Sequence, residues 1–224
     1  MPPPRKYHPF LQRDISPPPV CVPDGDVSQA VTEQLGNLTL KNKTDKQSER
    51  LKTAWVLSSA DLNDNWIDSL KKLADVNSLS DFNKVKMNFS NPSRLPLKCD
   101  YSFFKDGITP SWEDNPGSGR WLIEITKFEE DAHLDQWWYR LMTALVRDEF
   151  GGYGDHICGI VVKRREFNMI TLWTRDSANT RVNKPIGATI RRLLELPEDF
   201  ELTFVDQNYN NRRRVGRPLL KYRG

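Results

Sequence analysis

Hydrophobic and polar positions show no sustained period at the start of the chain. Residues 1 to 50 carry Pro2-Pro3-Pro4, Pro17-Pro18-Pro19 and the polar stretch Asn37 to Arg50. Such a segment buries too little apolar area to offset its ordering entropy, so it reads as a disordered Pro-rich and polar tail. From Leu51 the texture changes to short apolar/polar alternations or β-branched runs bounded by Gly, Pro, Asn and Asp. Strands are predicted over Thr53–Ser58, Tyr101–Phe104, Arg120–Ile125, Ile157–Lys163, Met169–Thr174 and Glu201–Val205. Residues Arg164 to Asn168 read as a hairpin loop without the Asn-Gly signature.

Two stretches carry a helical period. In Asp131–Phe150, Leu134, Trp137, Trp138, Leu141, Met142, Leu145 and Val146 recur at three- and four-residue steps and form one broad apolar stripe. The second runs from Lys184 to Leu196, with Pro185 in its first turn, Ile186, Ile190, Leu193 and Leu194 inward, and Pro197 ending it. A third helix is predicted over Ser80–Asn88. Mostly antiparallel strands with about three amphipathic helices imply an α+β fold in which residues 51–224 form a single domain. Helices on one sheet face leave the other face free for a ligand.

Composition narrows the function. The chain has 224 residues, and a net charge of +3 argues against a broad electrostatic footprint for duplex DNA. Nucleic-acid contact is therefore expected to be local. Cys21, Cys99 and Cys158 are odd in number and lack CxxC spacing, so they read as reduced thiols in a cytoplasmic or nuclear protein. No apolar run reaches the length that crosses a bilayer, and Met1 to Arg13 lacks a signal-peptide core. The stretch Asn208–Gly224 holds Arg212-Arg213-Arg214, Arg217, Lys221 and Arg223 with no acid, which reads as a solvated basic end.

Seven tryptophans, at positions 55, 66, 112, 121, 137, 138 and 173, are many for so modest an apolar content. Core packing accounts for most of them, and Trp55, Trp121, Trp137 and Trp138 are assigned to it. Trp112 follows the Gly107/Pro110 loop and precedes Glu113 and Asp114, a poor place to bury an indole. A loop tryptophan beside a carboxylate suits base recognition: the ring stacks, and the carboxylate accepts from the N1–H and exocyclic amine that guanine presents together.

From Trp55 to about Pro197 the chain resembles the translation initiation factor 4E family, the cytoplasmic cap-binding proteins. The resemblance rests on Asp100-Tyr101-Ser102, Phe104-Lys105-Asp106-Gly107-Ile108, Trp112-Glu113-Asp114 and Gly119-Arg120-Trp121. It continues through Cys158-Gly159-Ile160-Val161-Val162, Leu172-Trp173-Thr174, Asn179-Thr180-Arg181 and Ile186-Gly187. It implies a curved sheet with helices on its convex face and a pocket for the 7-methylguanosine cap of mRNA on the concave side. By the same resemblance Trp66 and Trp112 sandwich the base, Glu113 reads the guanine edge and Trp173 lines the methyl pocket. The cationic methylated purine attracts each indole face by roughly 0.5–2 kcal/mol beyond stacking.

Phosphate binding is implied at Arg165, with Arg120 at the rim. The family's next lysine falls on Met169, a departure from the pattern. Lys163, Arg164 and the Arg212–Arg214 cluster are the candidates to replace that charge. The loop between Trp55 and Trp66 is also shorter than the family's.

On the helical back face the family holds a scaffold or repressor peptide with a Tyr-x-x-x-x-Leu-Φ motif, Φ being apolar. Beside Leu79, Asn83 stands where the family has an exposed tryptophan. Tyr139, Arg140, Thr143 and Arg147 replace Leu, Glu, Leu and Gly on the long helix. A guanidinium in place of a carboxylate reverses the local preference, so weak or altered binding of initiation factor 4G and of 4E-binding proteins is expected. A cap binder of this kind acts in translation initiation or competes as a repressor. Two other classes stand beside it: an interaction module that has lost the pocket, and a cap-processing enzyme. Against the enzyme, the histidines His8, His133 and His156 form no ligand set, and no acid-base or nucleophile constellation is present, so neither catalysis nor a metal or cofactor is expected.

Overall fold

The computed structural model describes residues 50–61, 66–125, 130–165, 167–206 and 220–222, and side chains within these except at 66, 67, 130, 131 and 220–222. The expected tail, the Arg212–Arg214 cluster and His8 lie outside the described residues. Strands β1 (Arg50–Asp61), β2 (Lys71–Ser78), β3 (Cys99–Lys105), β4 (Gly119–Ile125), β5 (Ile157–Lys163), β6 (Asn168–Thr174), β7 (Leu202–Asp206) and β8 (Leu220–Tyr222) make one sheet. Its order is β2-β1-β3-β5-β6-β4-β7-β8. Every pair is antiparallel. The sheet is curved and does not close, since β2 and β8 end it without pairing to each other.

Four α-helices are described: α1 (Trp66–Ser69), α2 (Leu79–Asn88), α3 (Glu130–Val146) and α4 (Thr180–Leu193). The three longer ones follow from their sequences. Ser78 caps α2, its hydroxyl accepting from the Asp81 N–H at 3.1 Å and donating to the Asp81 carboxylate at 2.8 Å, a reciprocal cap. Phe82 and Val85 then face inward. On α3 the predicted stripe is buried from Leu134 to Val146. Helix α4 starts four residues earlier than its proline suggested, because the Asn179 side chain accepts from Val182 N–H and sets the first turn. Pro185 sits inside the helix, and the missing donor removes one backbone bond. The helix ends at Glu195, whose φ of 53 is left-handed. Leu196 N–H reaches Arg191 C=O at 3.0 Å, the bond of a Schellman ending made ahead of Pro197.

The sheet buries its two faces differently. Trp55, Leu57, Tyr101, Phe103, Trp121, Ile123, Ile160, Val162, Ile170, Leu172 and Phe204 point toward α2, α3 and α4 and share one core with Trp137 and Trp138. Trp121 and Trp138 are 0% and 1% exposed. Burying an indole completely is worth roughly 4–6 kcal/mol as an upper estimate, several times any local helix or strand propensity. These rings fix which face the helices cover. Phe104, Cys158, Val161 and Trp173 form a separate small cluster on the opposite, open face.

One expectation is corrected and two elements were not foreseen. Cys99 is disulfide-bonded rather than a free thiol, while Cys158 is free and buried; linear spacing does not reveal which thiols meet in space. Strand β2 and helix α1 escaped prediction. Lys71-Lys72 and Asp75 break the apolar alternation of an edge strand, and α1 is a single turn. Among the described residues no helix is long and apolar enough to cross a membrane.

Gly159 makes room for Phe104 on the open face. A Cβ at 159 would lie 2.5 Å from the Phe103 carbonyl oxygen and 2.5 Å from the Phe104 ring, and a strand carbonyl cannot retreat cheaply. Gly159→Ala is expected to cost about 1–3 kcal/mol of overpacking strain, read as a lower urea midpoint. An unchanged midpoint would show that the strand yields without penalty.

Candidate functional site

Strand register builds the open face in rows. Val56, Phe104, Gly159, Trp173 and Arg120 lie side by side, then Ser58, Ser102, Val161, Thr171 and Leu122, then Ala60, Asp100, Lys163, Met169 and Glu124. Successive rows are two residues apart, roughly 7 Å. Val56, Ser58, Ser102 and Phe104 of the first two rows floor a slot of about 240 Å³ walled by Leu70 on one side and by Gly107 to Pro110 on the other. The Phe104 ring meets Trp173 edge-on at 5.6 Å. Trp173 is 5% exposed and donates from Nε1 to Thr171 Oγ1 at 3.1 Å. It belongs to the open face, not to the helix-side core.

The loop between β3 and β4 is braced from within. Gly107, at φ 79, turns the chain out of β3. Asn115 Nδ2 donates to the Thr109 and Ser111 carbonyls at 2.7 and 2.6 Å. Pro110 and Ser111 are buried, so the loop is anchored at its base while Trp112 projects 51% exposed. Ser111 Oγ–H donates to Glu113 Oε2 at 2.8 Å. Trp112 and Glu113 together line a second cleft, of about 330 Å³, closed by Pro116, Gly117, Ser118, Ser177 and Asp206. The structure thus brings Trp112 and Glu113 together but sets them against this cleft, across the loop from the slot. Trp66 opens α1, the turn that precedes Leu70; its side chain lies outside the described residues.

Two of the predicted cations, Arg165 and Lys163, meet at Asp100 farther along the face, and Arg120 stands in the first row beside Trp173. Arg165 grips Asp100, with Nη2 donating to Oδ2 at 3.0 Å and Nη1 lying 2.7 Å from Oδ1 without hydrogen-bond geometry there. Burial pushes the Asp100 carboxyl up despite the opposing pull of Arg165 and Lys163. Burial also lowers Lys163, aided by the repulsion of Arg120 and Arg165 and opposed by Asp100. Arg120 is 5% exposed, its guanidinium 5.4 Å from the Trp173 ring centre. Burial lowers Arg120 as well, with Asp206 acting against it, and its Nε has no hydrogen-bond partner. Two cations, Arg165 and Lys163, therefore flank one carboxylate in a partly dry place, and Arg120, over Trp173, adds its repulsion to Lys163. Such a group suits a polyanion, which would restore the missing counter-charge.

Sequence reasoning missed the residues that hold this site in shape: Asp100 for Arg165, Ser111 for Glu113, Asn115 for the loop, and Phe104 as the floor. The signal was available in β3, where alternation sets Asp100, Ser102 and Phe104 on one face and Tyr101 and Phe103 on the other. Among the described residues, no group of His, Cys, Asp and Glu could hold a metal ion.

On the helical face, Leu79 is 37% exposed and Asn83 is exposed. Tyr139 donates to Asn91 Oδ1 at 3.3 Å, and Thr143 Oγ1 to the Tyr139 carbonyl at 2.7 Å. Arg140 Nη2 is paired with Glu149 Oε2 at 2.7 Å, so part of the expected charge reversal is cancelled internally.

A depressed lysine works against the fold. Because the folded pKa of Lys163 lies below its ordinary 10.5, its charged form costs stability at neutral pH, and the cost fades as pH rises through the folded pKa toward 10.5. Lys163→Met is expected to raise the stability of the protein alone by about 0.5–1.5 kcal/mol at pH 7, measured by urea unfolding. A lower stability would mean that Lys163 is mainly the counter-ion of Asp100.

Comparison with known proteins adds the following. The family described as Eukaryotic initiation factor 4E matches residues 43–217. Eukaryotic translation initiation factor 4E-3 of Caenorhabditis elegans is 36% identical over 66% of the chain, and the match spans 62% of that relative's length. Among solved structures, Ascaris suum eIF4E-3 in complex with the m2,2,7G cap aligns with TM-score 0.74 at 31% identity, covering 79% of this chain and 99% of that one. C. elegans eIF4E-3 in complex with the 4E-binding protein Mextli and a cap analog aligns with TM-score 0.71 at 32% identity, covering 78% and 99%.

Proposed function

This chain belongs to the eukaryotic initiation factor 4E family, and from that premise we propose that it binds the 7-methylguanosine cap of mRNA on the open sheet face and acts in translation initiation. The observation that carries the reading is the path along β3. It begins at a slot floored by Phe104 and bordered by the loop of Trp112 and Glu113, and it ends about 13 Å away, four strand residues on, at Asp100 with Lys163 and Arg165. A flat base at one end and a chain of phosphates at the other match that order.

In this reading the methylated guanine lies in the slot between Trp66 and Trp112. Glu113 leaves Ser111 to accept from the guanine N1–H and exocyclic amine. Trp173 underlies the methyl group, and Arg165, Lys163 and Arg120 take the phosphates. Lys163 supplies the charge that Met169 does not. Because Trp112 and Glu113 line the cleft across the loop, stacking requires the Trp112 segment to turn toward the slot. The cost of that movement is offset only by a ligand that both stacks and hydrogen-bonds, so unmethylated guanine, lacking the cationic ring, is penalised.

A second partner is proposed on the helical face, a scaffold or repressor peptide laid across α2 and α3 near Leu79, Asn83, Tyr139, Arg140 and Thr143. The C. elegans relative in complex with Mextli supports a partner of this kind. With Asn83 in place of a large anchor and Arg140 already paired to Glu149, binding of the standard motif is weakened. The chain then serves as a specialised or cap-competing member of its family.

Titration with 7-methyl-GTP and with GTP, followed by tryptophan fluorescence, tests the cap reading. Saturable quenching by 7-methyl-GTP, about tenfold or more tighter than GTP and lost in Trp112→Ala and Glu113→Ala, is the expected result. Equal response to both nucleotides would remove the methyl-dependent pocket and leave an interaction module.

A further inference from the structure

The connection between β5 and β6 carries an aromatic that neither the slot nor the phosphate cluster uses. Phe167 is 63% exposed and stands two residues beyond Arg165. The start of that connection, at Arg164, is bonded to the neighbouring turn. Lys98 N–H donates to Arg164 C=O at 2.8 Å and Arg164 N–H to Cys99 C=O at 3.2 Å, so the hairpin base and the Leu97–Lys98 turn form one shelf. The shelf continues the open face past the row of Asp100 and Lys163. Lys98 is exposed and Arg164 partly so.

We propose that Phe167 is a stacking platform for the first bases of the RNA chain that follows the cap triphosphate, with Arg164 and Lys98 beside the RNA phosphates. The proposal rests on the cap reading above and extends it from the cap to the body of the message. An exposed ring interleaved with cations is the surface that single-stranded RNA recognises, because every base has a flat face and every linkage an anion. The direction is set by the strands: the base slot, then the phosphate cations, then the shelf. A ligand leaving the triphosphate along β5 meets Phe167 next. A peptide partner would instead favour an apolar groove, and the shelf offers none beyond Leu97 beside its cations.

The test uses the full chain and two probes: 7-methyl-GTP, and a fluorescent capped oligoribonucleotide of five nucleotides read by anisotropy. The wild type should bind the capped RNA more tightly than 7-methyl-GTP. Phe167→Ala should weaken capped-RNA binding by about five- to fiftyfold while leaving 7-methyl-GTP within about twofold, and Phe167→Trp should restore the RNA increment. Equal capped-RNA affinity in Phe167→Ala and wild type, or equal weakening of both probes by Phe167→Ala, overturns the proposal. A wild type that binds 7-methyl-GTP but gains nothing from the RNA chain overturns this proposal alone. One that binds neither probe overturns the cap reading and this proposal with it.

Discussion

The register of β3 is the constraint on which the open face depends. Cys99, Tyr101 and Phe103 enter the helix-side core, so Asp100, Ser102 and Phe104 are delivered to the other side by the pleat alone. A slip of one residue would exchange the two sets, placing a carboxylate under the helices and Tyr101 among the cations. Phe103 resists that slip. It stacks on Trp55 at 5.1 Å with planes 11° apart and meets Phe82 of α2 at 6.5 Å. The apolar face thus holds the geometry of the polar one, and the position of Asp100 relative to Arg165 and Lys163 is set by aromatic packing that touches neither.

What was legible in the sequence follows from the same division. Strands β3 to β7 and the stripe of α3 could be read because burial imposes a period; the observed strand bounds fall within two residues of the predicted ones, while α3 ends at Val146, four residues short of Phe150. Strand β2 was not legible because an edge strand with Lys71, Lys72 and Asp75 has one partner and little buried surface. The start of α4 was misjudged because Pro185 suggested a first turn, whereas Asn179 was already capping one. Of the expected site residues, Arg165 and Lys163 meet at Asp100 on the open face, and Trp112 and Glu113 share the loop that borders the slot. Their arrangement was not available from the sequence. Neither the ion pair that occupies Arg165 nor the side of the loop on which Trp112 rests has a linear signature, because each depends on contacts between segments distant along the chain.

Electrostatics explains how Met169 is tolerated where the family resemblance calls for a lysine. Met169 pairs across the sheet with both Lys163 and Glu124. The cation has moved, in effect, to the neighbouring strand, one residue across the same row. There it sits directly across from Asp100. A buried ammonium crowded by two guanidinium groups is a poor contributor to stability, and its retention is intelligible if the charge is completed by a ligand. Proteins commonly hold such unfavourable charge where binding requires it.

The two halves of the site also differ in mobility. The cations are carried on strands packed against a core of tryptophans, and Arg165 is fixed by two contacts to one carboxylate. The Trp112 segment is an external loop braced by the side chains of Asn115 and Ser111, with its ring and carboxylate turned toward a different cleft. In the proposed cap reading, a polyphosphate is held by groups already in place, whereas base recognition reorganises the loop and breaks the Ser111–Glu113 hydrogen bond. On that proposal, selectivity for the methylated base is concentrated in the part that moves, since a ligand unable to supply both the cationic ring and the guanine edge leaves the rearrangement uncompensated. The rigid cations, by contrast, attract any nucleotide polyphosphate and discriminate little. Affinity is thereby assigned to the sheet and specificity to the loop.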